Sequence, residues 1–379
     1  MQTLCHLITD GKHGDCENEE GSGFYFISSK DVNDGKINYE NARQITFADF
    51  QNTHRRTQLE PFDILITNSG TIGRMAVVRE GELTPKTTFQ KSVAILKPDK
   101  KRVSTFWLFY YLRCHEERLI SYAGGTAQKN LLLRDLRAFE VELPSLALQA
   151  RVASMLSAYD DLIENNARRI KILEEMAKLI YREWFVEFKA PGVKLRKASH
   201  EEKKVTGKDV FPVEWEAKTL GDFLELAYGK GLKSEDRSNF GNPVYGSSGI
   251  IGYHNKPLVK GPGIIVGRKG NVGSLFWSEE DFYPIDTAFF VRTNISLHYA
   301  FYNLSGQTFL NSNAAVPGLN RESALMKTAI LPDKNSMDNF DKIIAPMFEQ
   351  IRLLKTRNRN LRCTRDLLLP KLVSGQIEV

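Results

Sequence analysis

Two glycine-free stretches, one after Pro144 and one after Pro332, interrupt a chain that is otherwise punctuated by glycine turns. In the first, Ile163, Asn166, Ile170, Leu173, Ala177, Ile180 and Trp184 recur at spacings of three and four. In the second, Ile344, Met347, Ile351, Leu354, Asn358, Leu361, Arg365 and Leu368 keep the same rhythm. That period predicts two long helices, each with a coiled-coil seam. A seam asparagine, here Asn166 and Asn358, costs stability but fixes register and partner choice. Pro346 implies that the second helix either begins near it or kinks there. Between these stretches, short apolar runs closed by glycine predict buried strands and tight turns.

The strand-rich parts repeat. Asp63-Ile64-Leu65-Ile66-Thr67-Asn68-Ser69-Gly70-Thr71-Ile72-Gly73 has a counterpart in Gly263-Ile264-Ile265-Val266-Gly267-Arg268-Lys269-Gly270-Asn271-Val272-Gly273. Upstream, Thr3-Leu4 and Gly11-Lys12 parallel Thr219-Leu220 and Gly229-Lys230. Downstream, Asn130 and Leu143-Pro144 parallel Asn320 and Leu331-Pro332. Landmarks in one order, twice, mark a duplicated architecture.

The expected organisation is therefore α+β: two β-rich domains separated by a long antiparallel two-helix coiled-coil spacer, with a pseudo-two-fold internal repeat. Its parts are domain one over 1–144, the first spacer helix over 145–190, a basic linker over 191–210, domain two over 211–334, and the second helix with the tail over 335–379. Pro191-Gly192 ends the first helix. Phe211-Pro212-Val213-Glu214-Trp215 leads into domain two, whereas domain one starts close to Met1 and is expected to draw its equivalent support from the carboxyl-terminal tail. Helices of about 35 residues at 1.5 Å per residue would hold the domains on the order of 50 Å apart. Along B-DNA that limits the separation of two contacts to about 15 base pairs.

An apolar fraction of 42% in 379 residues supports two cores and excludes a disordered or collagen-like chain. No apolar run reaches the roughly 18 residues of a membrane span, and residues 1–15 lack a signal-peptide pattern, so the expected location is cytoplasmic. Cys5, Cys16, Cys114 and Cys363 form no paired motif, which fits reduced thiols. A net charge of +6 permits nucleic-acid binding without requiring it.

Catalytic signatures are missing from the sequence. There is no Asn/Asp-Pro-Pro-aromatic motif for adenine methylation, and Gly229-Lys230-Gly231 and Gly11-Lys12-His13 lack the spacing of a phosphate-binding loop. Asp160 and Asp161 adjoin without the further carboxylates a Mg²⁺ nuclease needs, and Asp160 is expected to be a surface or capping charge. Cys5, His6, His13 and Cys16 do not match a standard zinc spacing. No metal and no cofactor are expected in this chain.

Four segments then carry a resemblance that spans nearly the whole chain: Thr88-Phe89-Gln90-Lys91-Ser92-Val93, Gly124-Gly125-Thr126-Ala127-Gln128-Lys129-Asn130-Leu131, Tyr181-Arg182-Glu183-Trp184-Phe185-Val186-Glu187-Phe188, and Arg365-Asp366-Leu367-Leu368-Leu369-Pro370-Lys371-Leu372-Val373-Ser374-Gly375-Gln376-Ile377. In this order around two helices, the chain resembles the specificity subunits of Type I restriction–modification systems. The resemblance implies a non-catalytic protein with two target recognition domains, each reading one half of a bipartite double-stranded DNA sequence. Implied partners are two methyltransferase subunits and restriction/translocase subunits, which would hold S-adenosylmethionine, ATP and Mg²⁺.

Candidate DNA contacts follow from chemistry, since phosphates need cations or free N–H groups and base edges need fixed donors and acceptors. In domain two these are Arg268, Lys269 and Asn271 in the glycine turn, Lys230 and Lys233 after another, Tyr245, Ser247, Ser248 and His254 in a polar-aromatic loop, and Asn320 with Arg321. In domain one they are Lys12 and His13, Thr67, Asn68, Ser69, Thr71 and Arg74, and Gln128 with Lys129. Each has a plain alternative as a solvated turn, a surface lysine or a loop cap. Expected seam residues are Ile163, Asn166, Ile170, Leu173, Ile180, Trp184, Met347, Ile351, Leu354, Asn358, Leu361 and Leu368. The basic linker carries Lys189, Lys194, Arg196, Lys197, Lys203, Lys204 and Lys208, and reads either as a mobile connector or as a phosphate-following segment. Two other classes stay open on these residues alone: a protein-binding scaffold and a self-contained nuclease.

Overall fold

A computed structural model describes residues 1–124, 129–309 and 318–377. It divides into two compact units, 1–165 with 358–379 and 166–357. The divisions fall inside the two long helices, Leu146–Tyr181 and Lys334–Val373.

Each unit is built on a four-stranded antiparallel sheet of one topology. In the first unit the order is Cys5–Asp10, Val93–Pro98, Ile64–Thr67, Met75–Val77; in the second it is Leu224–Tyr228, Ala288–Thr293, Gly263–Gly267, Leu275–Ser278. The pairing shows which residues correspond. Ala94 faces both Asp10 and Ile66, and Phe289 faces both Tyr228 and Val266, so Asp10 and Tyr228 share one address. Each central strand is buried on both faces, which is why Ile64-Leu65-Ile66 and Ile264-Ile265-Val266 are unbroken apolar runs rather than alternating ones.

A second, three-stranded sheet also recurs. Tyr25–Ile27 pairs antiparallel with Arg43–Gln44 and parallel with Thr87–Phe89, as Asn242–Gly246 does with Gly249–His254 and Tyr283–Pro284. After Arg43–Gln44 the first unit inserts the helix Phe47–Thr57, capped by Thr46; no helix follows the corresponding hairpin strand.

The helices pair antiparallel within each unit. Asn358 donates to the Ile163 carbonyl at 3.2 Å in the first, and Lys355 reaches Glu174 at 3.3 Å in the second. All twelve seam candidates are buried or partly buried. Pro346 neither begins nor ends its helix, which already starts at Lys334. At the other end of that helix, Leu369 and Leu372 join Leu4, Trp107, Leu136 and Phe139 in the first unit's core.

The basic linker is folded. Leu195–Lys197 pairs with Val210–Pro212 across the helix His200–Thr206, which Ser199 and Glu202 cap reciprocally. Arg196 grips Glu202 with two bonds of 2.8 and 2.6 Å, holding that carboxyl down at about 2. Lys189, Lys203 and Lys208 pair with Glu183, Asp209 and Glu187. A local structure therefore consumes much of the charge that the sequence offers to phosphates.

Candidate nucleic-acid interface

The glycine turns after Thr67 and Gly267 are superimposable in their bonding. Thr67 and Gly267 each accept at their carbonyl from the N–H of the glycine six residues on, Gly73 and Gly273, at 3.0 and 2.9 Å. Gly70 and Gly270 lie at φ 76° and 80°, where a side chain is strained. Asn68 donates its N–H to Ser92 and accepts from Leu131; Arg268 does the same with Thr287 and Leu319, all at 2.8–3.0 Å. Each unit thus fixes the backbone of one residue on both sides at the head of a polar turn. That residue is an asparagine in one unit and an arginine in the other.

Arg268 is partly buried and held by three groups. Its Cζ lies 4.8 Å from the centre of the Tyr228 ring and 5.6 Å from that of Phe289, and its Nη1 donates to the Asp286 carbonyl at 3.0 Å. Arg321 approaches Tyr228 as well, at 5.6 Å, and pairs with Glu225 at 3.4 Å. Asn68 is 7% exposed, and its Oδ1 is buried without a hydrogen-bond partner. An unfilled acceptor of this kind costs about 1–3 kcal/mol. Lys269 and Asn271 are exposed beside Arg268, and Ser69 and Thr71 flank Asn68 with part or all of their surface open.

Other candidates land elsewhere. Thr67 is fully buried and ties the turn internally, donating to the Thr71 carbonyl and accepting from the Arg74 N–H. Tyr245 is a core residue, 6% exposed and packed against Phe276 and Phe282, so it cannot present its ring to a base edge. Ser247 and Ser248 form the hairpin turn, where the Ser247 carbonyl accepts from Ser274 beside the Arg268 turn, whereas His254 lies at the hairpin's opposite end and bonds Lys256. Four residues expected to form one surface are split by a strand that runs between them.

Lys12 donates to Asp49 at 2.9 Å, a bond that keeps its ammonium above the ordinary lysine range; His13 contacts Asp10 at 3.1 Å. Lys230 is exposed, while Lys233 pairs with Glu235 at 3.2 Å. The equation of Asn130 with Asn320 is off by two positions. Leu131 and Leu319 correspond by their shared backbone bond, so Asn130 matches Gly318 and Asn320 matches Leu132. Asn320 accepts from the Ser323 N–H at 2.9 Å as a helix cap, which is a structural use. Lys129 is exposed, and Gln128 lies outside the described residues.

Asp160 is neither a surface nor a capping charge. It accepts from Tyr110 at 2.6 Å and pairs with Arg365, which is 6% exposed. Among the described residues no group of three His, Cys, Asp or Glu side chains is placed to hold a metal, and no helix is long and apolar enough to cross a membrane. Tyr228 and Asp10 were missed by residue chemistry, yet each directly precedes a Gly-Lys landmark of the repeat; extending the comparison by one residue reaches both.

Residues 12–175 and 212–357 each match the family model described as Type I restriction modification DNA specificity domain. The chain is 25% identical over 351 residues to the Type I restriction enzyme MjaIX specificity subunit of Methanocaldococcus jannaschii, covering 83% of this chain and 78% of that one. It is 31% identical over 153 residues to the EcoBI specificity subunit of Escherichia coli, covering 38% of this chain and 31% of that one. In fold it resembles the crystal structure of a Type I restriction–modification S subunit from M. genitalium, with TM-score 0.56 and 18% identity over 98% of this chain and 94% of the other.

Proposed function

This chain belongs to the family of Type I restriction modification DNA specificity domains, as a non-catalytic specificity subunit, and on that premise we propose that its two units read the two halves of a bipartite DNA target, each through the turn that follows its central strand. The observation that carries this reading is the shared address of Asn68 and Arg268: identical backbone anchoring, different side chain. Arginine pairs with guanine in the major groove, while in the first unit the open hydroxyls of Ser69 and Thr71 flank the buried Asn68 in the same turn, so one scaffold can serve two unlike half-sites. Exposed Lys269, Lys230 and Lys129 supply nearby phosphate contacts, which position the protein without reading sequence.

The two long helices set the unread gap between the half-sites. Helices of 36 and 40 residues rise about 54 and 60 Å at 1.5 Å per residue. Two methyltransferase subunits carry S-adenosylmethionine to the target, and restriction/translocase subunits bring ATP and Mg²⁺, in a cytoplasmic complex. On the second helix, exposed Arg357, Arg359 and Arg362 offer a surface for these partners or for DNA.

Binding of the full chain, assembled with its methyltransferase, to cognate duplex at rising salt tests the reading. A DNA reader loses affinity with a slope of about 0.9 per neutralised phosphate on logarithmic axes. A protein scaffold shows no binding above background, and Mg²⁺-dependent cutting by the purified chain would instead identify a nuclease.

A further inference from the structure

We infer that Tyr228 is a positioning residue: its ring is the platform that orients Arg268, and with it the second unit reads the acceptor edge of a guanine. The inference rests on the DNA-reading assignment above and deepens it.

Tyr228 is a large aromatic residue left half exposed at the end of Leu224–Tyr228. Its backbone is pinned by the next residue, because a Cβ on Gly229 would lie 2.2 Å from the Ile285 carbonyl oxygen. The ring packs edge-on against Phe289 at 5.0 Å, and two guanidinium groups lie within about 6 Å of its centre, the range of a cation–π contact. Arg321 and Arg292 share Glu225, at 3.4 and 3.6 Å, while Arg268 has no ion pair among the described residues. Positive charge is left over, so the cluster suits a ligand made of acceptors.

Arg268 has little freedom left. Tyr228 and Phe289 contact its plane and the Asp286 carbonyl takes Nη1, while among the described residues no hydrogen bond to the protein is made by its Nε or Nη2. An edge with two parallel N–H donors therefore remains on a guanidinium that is already immobilised. Guanine O6 and N7 are the paired acceptors that this edge fits. A planar, stacked guanidinium is also a setting that lysine cannot imitate. In the first unit the same address holds Asp10, bonded to Arg56 at 2.8 Å, with Asn68 in place of Arg268. That unit has no platform, so the guanine is assigned to the second half-site alone.

The test uses the full chain assembled with its methyltransferase, and a duplex carrying the two-part motif that the complex methylates. Each guanine in the half-site altered by Arg268→Ala is replaced in turn by 7-deazaguanine, which lacks the N7 acceptor. Wild type loses affinity on the order of tenfold or more at one position. Tyr228→Leu loses that discrimination and binds both duplexes alike, whereas Tyr228→Phe, which keeps the ring, retains it; unfolding midpoints establish that both variants are folded. Discrimination by Tyr228→Leu equal to wild type, or insensitivity of wild type at every guanine, overturns the inference. If Arg268→Ala itself leaves both half-sites unchanged, the DNA-reading assignment fails, a result distinct from failure of the platform alone.

Discussion

The two units spend the same backbone on different chemistry in two places, and each unit shows what the other has done without. At the matched turn the first has Asn68 and Asp10 where the second has Arg268 against the ring of Tyr228. Beneath the sheet the contrast reverses. Tyr110, Asp160 and Arg365 form a polar cluster in the first unit, and the second fills the equivalent positions with Tyr302, Phe348 and Ala177, where the rings of Tyr302 and Phe348 meet edge-on at 6.2 Å. The equivalence follows from the repeat: Ser104 and Ser296 cap the matching helices, and Leu143-Pro144 and Leu331-Pro332 align the long ones. A duplicated fold conserves its hydrogen-bonded frame while its side-chain chemistry diverges, so the two half-sites should differ in sequence.

The largest effect is expected in the polar cluster. Asp160→Ala takes the acceptor from Tyr110 and leaves the nearly buried Arg365 with Asp366 as its charge partner, and should destabilise the first unit by about 2–3 kcal/mol, read by denaturant unfolding. Transplanting the other unit's solution, Asp160→Phe with Arg365→Ala, should recover most of that loss, because an apolar replacement of a buried pair is often neutral. No recovery would show that the two clusters are not interchangeable. At the matched turn, the proposed reading predicts that Arg268→Ala costs about 1–3 kcal/mol of discrimination at one base pair and leaves the other half-site intact. Ser69→Ala with Thr71→Ala should do the converse, measured by competition with single-substituted duplexes.

A smaller effect is expected at the short helices after the matched Leu131 and Leu319. Asn320→Leu removes a cap and should cost the second unit about 1 kcal/mol, while Leu132→Asn supplies the missing one and should stabilise the first by less. The smallest concerns the folded linker, which has no counterpart in the first unit. Because Arg196 holds Glu202 at about 2, below its unfolded value, the stabilisation is complete above the ordinary glutamate range and is lost as pH falls through about 2. Glu202→Gln should flatten that acid limb in amide exchange of 195–212.

Much of this organisation is written in the residue pattern. The helix seams follow from spacing alone, since a three-four period of apolar residues has few other uses, and the glycine turns follow from matching strings such as Asp63–Gly73 and Gly263–Gly273. Side-chain fate is less legible. Tyr245 looks like a loop residue beside glycine and serine, but the alternation of its strand turns the ring into the core. Asp160 looks like a surface charge because its partners, Tyr110 and Arg365, are distant in sequence. The linker lysines look free for the same reason: Glu187 and Asp209 neutralise two of them only after the hairpin closes. Conversely, Asn130 and Asn320 are alike in the sequence and unlike in the fold, where a two-residue offset gives them different neighbours.

The central claim, one half-site for each unit, is tested most directly by mapping methylated adenines genome-wide in cells that express the cognate methyltransferase with the wild-type chain, Arg268→Ala, Ser69→Ala with Thr71→Ala, or no chain. The account predicts a two-part motif with a fixed unread gap, lost without the chain, relaxed in one half by Arg268→Ala and in the other by Ser69→Ala with Thr71→Ala. Methylation that persists unchanged without the chain, or variants that alter both halves equally, would contradict it.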